Sequence, residues 1–393
     1  MDIAAQENNI LILETRALSY SSTHVFLSEI ASQLRKMGFT VQHVLVSDIE
    51  KESGVLEEFI GMTCTAVIDV NSHLPLANLD GIPYPDLINA PFINILADHP
   101  LHLHPILKVK LKNGVLVCLD RFHADYAKMY YPSFKKIINI PFAGTKSEKN
   151  ISFHDRKHGI LFAGTYTPSD YFLEQMDDET RRVALDVKDF LNEHGRDGKI
   201  LSFPDIFGRL YGIDREVFSF QMYRMRAVER YMRELKREET IEAFLAGGMH
   251  LEVMGERWEM FKTKYHNNIT IYPALEYRQM IDEMADSRVV INIQPFFADA
   301  PHDRISNSAV NGCVCLTDGC EWLDNNFVNG KDYIKYDMTV LNRDIDKLRE
   351  YLNNVELLEE IAMSSQIKGS NIINWEDYCK KLFDNKNMNR YDK

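Results

Sequence analysis

A chain of 393 residues is longer than a single hydrophobic core usually requires, so two domains are expected. With 45% hydrophobic and 26% charged residues and no apolar run of membrane-spanning length, the composition is that of an ordinary globular protein without a transmembrane helix. The net charge of −13 argues against a dedicated nucleic-acid binder, because phosphate contacts need a basic surface.

The N-terminus and the cysteines favour a cytoplasmic protein. Residues 1–7 lack the basic start and the apolar core of a signal peptide. The six cysteines lie mostly in apolar runs and show no Cys-x-x-Cys spacing, as expected of buried thiols in a reducing compartment.

Strands and helices alternate over the first 145 residues. A helix is predicted over 23–37, where Phe26, Ile30 and Leu34 fall on one face. Such alternation indicates βαβ units and a parallel sheet, so 1–145 is predicted to be a Rossmann-like domain. The predicted strands cover 9–14, 40–46, 63–70, 91–97, 114–119 and 136–140.

A cluster of ionisable residues follows the fourth of these strands, at an end where parallel sheets bind ligands. It contains Asp98, His99, His102 and His104. Aspartate and histidine can hold a metal, but the near-adjacent spacing is poor for a closed metal site. The cluster could bind an acceptor, supply a general base, or consist of surface residues without a function. Asp98 is the first candidate for the base.

The strand pattern restarts after a polar linker. The span 144–150 is rich in turn residues, and a strand follows at 159–164. Residues 169–246 are almost wholly helical in pattern, far longer than a simple crossover, and are predicted to be a helical insertion. Later strands are predicted at 250–254, 269–272, 289–293, 313–317 and 333–336, and terminal helices at 341–353, 356–370 and 375–382.

Two glycines end predicted strands of this second half. Gly164 is followed by Thr165 and Tyr166, whose backbone N–H groups, with neighbouring hydroxyls, could hold a diphosphate, although an ordinary strand-to-helix turn has the same pattern. Gly255 ends the next strand and could allow a ligand to approach the backbone closely.

The most informative stretch is Asp299–Gly312, a polar loop and short helix between two apolar strands. His302 and Arg304 lie beside the predicted helix start, where an arginine favours an anion. The alternatives are a surface salt bridge for Arg304, a structural role for His302, and local capping bonds for Asn307.

This stretch resembles the donor-binding segment of GT-B glycosyltransferases, closest to the group-1-type and CgeB-like bacterial enzymes. In retaining relatives a Glu, seven residues and a second Glu precede a small-residue helix that ends in Gly. Asp299 and Asn307 occupy those two positions here, with Ser308 opening the small-residue run. The CgeB-like version often reads His-x-Arg, which His302 and Arg304 match.

The resemblance implies roles for several residues. Asn307 would hold the nucleotide ribose. Many relatives place an Arg and a Lys shortly after the loop that here begins at Gly164, and these two residues hold the leaving phosphate. Both are missing in this sequence, so Arg304 would take over that role. The loop after the strand at 269–272 would frame the nucleobase. It contains Tyr272, Pro273 and Tyr277, although packing of Tyr272 on a helix is an equal alternative.

The resemblance also implies the architecture: two Rossmann-like domains facing across a cleft. The acceptor domain would cover 1–145, the nucleotide-sugar domain 151–372, and a C-terminal helix at 373–393 would return to the first domain.

The predicted activity is metal-independent transfer of a sugar, of the hexosyl type, from a nucleotide-diphosphate sugar to the hydroxyl of a glycan, protein or small molecule. No cofactor and no nucleic-acid partner are expected, and the helical insertion is the candidate surface for forming a homo-oligomer. A sugar-nucleotide epimerase and a non-catalytic interaction protein are the alternatives, and the sequence leaves retention or inversion open.

Overall fold

The computed structural model describes residues 8–15, 18–46, 53–194, 201–338 and 340–384. Contacts divide the chain into two compact units. Unit 1 comprises Met1–Pro141 and Trp375–Lys393, and unit 2 comprises Phe142–Asn374. No helix within the described ranges combines the length and the apolar character needed to cross a membrane.

Unit 1 is built on a six-stranded parallel sheet in the order β2-β1-β3-β6-β7-β8. The central strands are buried along almost their whole length, as expected of a parallel sheet covered on both faces. The strands are β1 (Asn9–Glu14), β2 (Thr40–Leu45), β3 (Ala66–Val70), β6 (Phe92–Leu96), β7 (Gly114–Cys118) and β8 (Lys136–Asn139), and the pair β4 (Asn78–Leu79) and β5 (Ile82–Pro83) forms a separate hairpin.

Helix α1 shows how the sequence pattern builds this unit. Its residues Phe26, Ile30 and Leu34 are buried, and the helix ends before Gly38, whose φ of 95° suits glycine. The helices of unit 1 are α1 (Ser22–Lys36), α2 (Ser53–Glu57), α3 (His104–Leu107), α4 (Arg121–Tyr130) and α15 (Trp375–Leu382).

The C-terminal helix α15 packs on α1. The rings of Trp375 and Phe26 lie 6.1 Å apart, and the Cys379 thiol lies 3.9 Å from the carbonyl oxygen of Ile30. The division between the units falls after Asn374, where the sequence prediction placed it at 373.

Unit 2 contains a second six-stranded parallel sheet, in the order β11-β10-β9-β12-β13-β14. The chain leaves β9 in one direction and later returns to its other side, so the order reverses between β9 and β12. Open parallel sheets bind ligands at such a switch point, beyond the carboxyl ends of the strands. The strands are β9 (His158–Ala163), β10 (Leu251–Met254), β11 (Ile269–Tyr272), β12 (Ser287–Asn292), β13 (Val314–Thr317) and β14 (Ile334–Lys335).

The predicted helical insertion is present between β9 and β10. The described part of the insertion contains five helices, of which the long α9 packs against α5 and α6. These are α5 (Ser169–Glu174), α6 (Asp178–His194), α7 (Phe203–Tyr211), α8 (Phe218–Arg224) and α9 (Arg226–Ala246), followed later by α10 (Tyr277–Ala285), α11 (Asp303–Val310), α12 (Glu321–Asn326), α13 (Leu341–Leu352) and α14 (Val355–Ile372).

The predicted linker belongs to unit 2 and lies along α11. Thr145 N donates to Asn307 Oδ1 at 2.8 Å, and Ser147 N donates to Asn311 Oδ1 at 2.8 Å. A β-carbon on Gly144 would lie 2.4 Å from the Ser306 carbonyl oxygen, so only glycine fits this approach. Residues 142–147 are therefore a bound segment, which we call the α11 strap.

All six cysteines are buried free thiols, as the apolar runs predicted.

Candidate functional site

Arg304 lies at the switch point of the second sheet. Its Nε donates to Asn292 Oδ1 at 3.2 Å and its Nη1 to the Ala163 carbonyl oxygen at 3.2 Å, which joins the ends of β12 and β9. None of the described residues accepts a hydrogen bond from its Nη2. Burial, opposed in part by Asp303, lowers the pKa of Arg304, but arginine titrates so high that the group stays charged at neutral pH.

A second arginine, which the sequence prediction missed, reaches the same loop from α9. Arg237 Nη1 donates to the Thr165 carbonyl oxygen at 2.8 Å and pairs with Glu234 at 2.6 Å. The guanidinium carbons of Arg304 and Arg237 lie 5.1 and 5.5 Å from the centroid of the Phe162 ring. The Nε of Arg237 is buried without a partner in the described part of the chain. Two cations with unused donors therefore meet at the end of β9.

The glycine loop itself is less open than the sequence suggested. Gly164 N donates to the Met254 carbonyl at 2.9 Å, and Tyr166 N to the Glu256 carbonyl at 3.0 Å. The Tyr166 hydroxyl donates to Glu238 at 2.8 Å, and its ring stacks on Trp258. These groups hold the loop against its neighbour, which corrects the interpretation of Tyr166 as a diphosphate ligand.

Gly255 is required by backbone packing. Its φ is 154°, and a β-carbon there would lie 2.2 Å from the Gly164 carbonyl oxygen. The close approach predicted at this glycine is therefore made to the loop after β9 and not to a ligand. Thr165 is half-buried between Gly164 and Tyr166.

The helix α11 carries most of the predicted donor residues, and several are committed to the protein. Asn307 Oδ1 accepts from Thr145 N, and its Nδ2 donates to the Tyr277 hydroxyl at 3.0 Å. The Ser308 hydroxyl donates to the Arg304 carbonyl at 2.6 Å within the helix. Asn307 and Ser308 are about 1% and 0% exposed, so the predicted ligand contacts of both side chains conflict with their burial.

His302 begins α11 as its N-cap. Its Nδ1 lies 3.3 Å from the Arg304 backbone nitrogen and against the Asp303 carboxylate, and 29% of the side chain is exposed. Burial, with the nearby Arg304 charge, lowers the pKa of His302. The pKa of Asp303 falls below its ordinary range because the His302 and Arg304 interactions outweigh burial. Asp299 precedes the helix and is buried.

The predicted nucleobase loop directs its tyrosines elsewhere. The Tyr272 ring lies 5.3 Å from the ring of His158, edge on, and 5.5 Å from the Lys157 ammonium. Tyr277 is buried, and its hydroxyl donates to Asp303. Pro273 and Glu276 of this loop are exposed, Tyr272 is partly exposed, and the buried Tyr277 offers no free stacking face.

In unit 1, Asp98 is half-buried at the end of β6 and is oriented by a residue that the sequence prediction overlooked. Asn71 Nδ2 donates to Asp98 Oδ2 at 2.8 Å, and Asn71 Oδ1 accepts from Ala97 N at 2.9 Å. Asn71 has a φ of 47°, a conformation that asparagine tolerates better than most residues. The pair gives Asp98 a fixed carboxylate beside the sheet end.

Two of the neighbouring histidines, His99 and His104, are buried. His99 is buried, accepts from Leu101 N, and packs 4.3 Å from the His123 ring. Burial first, then the His123 and His102 charges, lowers the pKa of His99 well below its ordinary value. His104 is buried against the Tyr131 hydroxyl. The burial of both side chains does not favour the prediction that they bind an acceptor or replace Asp98 as base.

Comparison with known proteins agrees with this geometry. Residues 227–372, which include Arg237 and Arg304, match the family model described as glycosyl transferase-like. No curated protein matches the sequence.

Solved structures are similar in fold over nearly the whole chain. An alpha-glucosyltransferase in complex with UDP and a 13-mer DNA has a TM-score of 0.54 and 12% identity, covering 96% of this chain and 99% of that one. HepE of Anabaena, in complex with UDP-glucose, has a TM-score of 0.53 and 10% identity, covering 95% and 98%. Sucrose-phosphate synthase of Thermosynechococcus elongatus has a TM-score of 0.52 and 8% identity, covering 96% and 97%.

The predicted resemblance to GT-B glycosyltransferases is thereby confirmed, whereas the CgeB-like subgroup stays a prediction. The chain has two Rossmann-like units of the GT-B fold class, and its residues 227–372 are similar to the glycosyl transferase-like family.

Proposed function

We propose that the protein moves a sugar from a nucleotide-diphosphate sugar to an acceptor hydroxyl, and that Arg304 and Arg237 hold the diphosphate. The observation that carries this is the convergence of the two guanidinium groups at the end of β9, each with an unused donor. Guanidinium groups match phosphate oxygens in geometry and charge. The family match over the same residues supports the assignment.

The two arginines would act chiefly on the departing group. When the bond between the sugar carbon and the phosphate oxygen breaks, negative charge grows on the diphosphate. Fixed donors in a buried position stabilise that charge without reorganising. The burial of Arg304 is consistent with such a preorganised donor. The acceptor oxygen forms the new bond to the sugar, and its proton passes to a base, for which Asp98 remains our candidate.

We propose UDP-sugars, and hexosyl groups among them, as the first donors to test. The support is that the similar alpha-glucosyltransferase and HepE structures contain UDP or UDP-glucose. The net charge of −13 favours a glycan, protein or small-molecule acceptor over DNA. Six buried free thiols support a cytoplasmic setting.

The insertion offers a surface for self-association, which we propose as its role. Ile213 and Phe220 are 55% and 54% exposed, and Val217 between them is 42% exposed. The three residues lie within eight positions of the chain, and a contiguous exposed apolar patch often marks a protein contact surface. Light scattering of the protein and of Phe220→Asp should show a dimer that the variant loses.

The donor proposal is tested by thermal unfolding with UDP, GDP, CDP, ADP and dTDP, each with and without EDTA. We expect one diphosphate to stabilise the protein in both conditions, by about 2.7 kcal/mol at a hundredfold excess over Kd. No cofactor or metal is proposed for this step. Absence of a shift with all five, or a shift that EDTA abolishes, would contradict the proposal.

A further inference from the structure

A group of metal-ligating side chains lies in unit 1, apart from every residue discussed so far. Glu14 ends β1, His24 lies in the first turn of α1, and His43 lies in β2. The His24 Nδ1 and the His43 Nε2 each lie 3.0 Å from the same oxygen, Glu14 Oε2. All three atoms fall within 4.8 Å of one another, and the two rings stack at 5.5 Å.

The topology of the first βαβ unit brings these three residues together. Strands β1 and β2 pair in parallel register, with Ile12 opposite His43 and Glu14 opposite Leu45. Glu14 and His43 therefore project from the same face of the sheet as diagonal neighbours. Helix α1 crosses between the two strands and places His24 beside them.

Glu14 supplies a buried carboxylate to this group. The Glu14 side chain is only 4% exposed, and among the described residues its ion-pair partners are the two histidines alone. Burial acts to raise the pKa of Glu14, but the histidine contacts outweigh it and lower the pKa, so the carboxylate is ionised. A buried carboxylate requires a compensating positive charge, which a bound metal ion would supply.

We propose that Glu14, His24 and His43 bind a divalent transition-metal ion of the zinc class. Bond lengths of about 2.1 Å in a tetrahedral site separate ligand atoms by about 3.4 Å, so the present 3.0 Å contacts need only small side-chain rotations. Two imidazole nitrogens and one carboxylate oxygen select zinc, cobalt, nickel or copper over magnesium and calcium.

The site is accessible and has room for a fourth ligand. The His24 side chain is 59% exposed and that of His43 is 15% exposed, so the ion can enter from the side of α1. Three protein ligands leave one tetrahedral position for water or for an oxygen of another molecule. The site belongs to unit 1 and does not depend on the proposed donor site of unit 2.

The experiment uses the full chain freed of metal with EDTA and then dialysed. Titration calorimetry with Zn²⁺ should show one strong site per chain, with Mg²⁺ and Ca²⁺ giving none. Co²⁺ should produce visible absorption bands typical of a site with few ligands. Zinc affinity should fall in acid, because ligands must be deprotonated to bind a metal ion.

Variants assign the site to these residues. His24→Ala removes a mostly exposed ligand, so the fold should survive, and zinc affinity should fall by at least the 10–100-fold that loss of an outer-shell partner costs. His43→Ala should do the same. His154→Ala is the matched control, because His154 is an exposed histidine paired with the single carboxylate of Glu359.

Unchanged zinc affinity in both His24→Ala and His43→Ala, or no stoichiometric site in the original protein, would overturn the proposal and leave a plain histidine–carboxylate cluster. The nucleotide-dependent thermal shift should be the same in His24→Ala as in the original protein, so the metal site and the donor site succeed or fail separately.

Discussion

Arg304 is the residue on which donor chemistry should depend most. Arg304→Ala removes a buried charge that we propose stabilises the leaving diphosphate. We therefore expect turnover to fall about 100- to 1,000-fold, the usual loss for one charge-stabilising donor. Removal of the charge also leaves Asn292 Oδ1 and the Ala163 carbonyl without their partner, so circular dichroism must show that the fold is intact. Initial rates with saturating donor measure the effect, and turnover near the original value would exclude the role.

Arg237 should contribute to the same step from the helical insertion. Arg237→Ala is expected to weaken diphosphate binding and slow turnover by at least tenfold, because a second cation beside the first shares the developing charge. Arg230→Ala is the control, since Arg230 lies on the exposed surface of the same helix and its loss changes the net charge equally. Equal rates in the two variants would show that Arg237 acts only through the packing of Phe162.

The two arginines also mark how far the sequence could be interpreted. Arg304 was predicted as a site residue because only a short loop separates it from the preceding strand. Residues in such loops lie at the carboxyl end of a parallel sheet. Arg237 was missed because it lies in a helix distant in sequence from the glycine loop, and its side chain arrives there only through the packing of α9. Asn71 was missed for the same reason, since its partner Asp98 is on the neighbouring strand.

Asp98 is the candidate that distinguishes the two stereochemical outcomes. Asp98→Asn preserves size and the hydrogen bond from Asn71 but removes basicity. An inverting enzyme that uses Asp98 as base should lose about 100- to 10,000-fold in rate, whereas a retaining enzyme should lose mainly acceptor affinity. Rates and the anomeric configuration of the product, measured by NMR, give the answer. An inverted product formed at an undiminished rate would remove Asp98 as the base.

At the scale of elements, α11 is held by the α11 strap and by α10, not by local bonds alone. Asn307 joins Thr145 of the strap to Tyr277 of α10, and both ends of its amide are used. We therefore expect Asn307→Ala to reduce the free energy of unfolding by about 1–3 kcal/mol, the cost of leaving buried polar partners unmatched. Denaturant unfolding with a fluorescence readout measures it.

Asn326→Ala provides the comparison for that change, because Asn326 only donates to the Trp322 carbonyl at the end of α12. A stability loss in Asn307→Ala no larger than in Asn326→Ala would show that the strap contributes little. A normal stability combined with a raised KM for the donor would instead restore the ribose contact that the family resemblance implies.

Helices and strands were predictable where the spacing of apolar residues and the position of a terminating glycine indicated the same element. Helix α15 was predicted over 375–382 and is observed as Trp375–Leu382, and β1 was likewise predicted over 9–14. Strand ends differ more: the strand predicted at 63–70 begins only at Ala66, because Thr63 makes an isolated bridge to Asn89. The α11 strap was predicted to be a linker because its own sequence is polar and rich in turn residues. Its hydrogen bonds to α11 join residues far apart in the chain, so no local pattern reveals them.

Across the whole molecule, each unit contains a buried aspartate near the end of a strand of its parallel sheet, Asp69 in unit 1 and Asp318 in unit 2. In unit 1, Asp69 accepts from the Thr15 hydroxyl and from Val70 N at 2.7 Å. In unit 2, Asp318 accepts from Gln294 N at 3.0 Å. Burial raises the pKa of each to about 7, although these hydrogen bonds act to lower it. Both groups therefore change charge near neutral pH, unlike an ordinary aspartate.

The sign of the resulting pH dependence follows from proton linkage. Between the unfolded pKa of 3.8 and the folded pKa of about 7, the folded chain keeps protons on these carboxyls that the unfolded chain has lost. Stability then falls as the pH rises through this range and is level above it. His158 adds in the same direction, because its bonds to Glu252 and Glu283 outweigh burial and raise its pKa.

The last prediction is that each unit becomes less stable between pH 6 and pH 8. A carboxyl with a folded pKa of about 7 contributes a loss of about 1.4 kcal/mol over this interval. Asp318→Asn should remove that loss from unit 2, and Asp69→Asn should remove it from unit 1, since an amide has no charge to bury. Urea unfolding at both pH values measures the change, and Asp125→Asn, at an exposed position of α4, is the control. A pH dependence that persists undiminished in both variants would mean that the two carboxyls stay ionised in the folded chain at pH 6, held so by their hydrogen bonds.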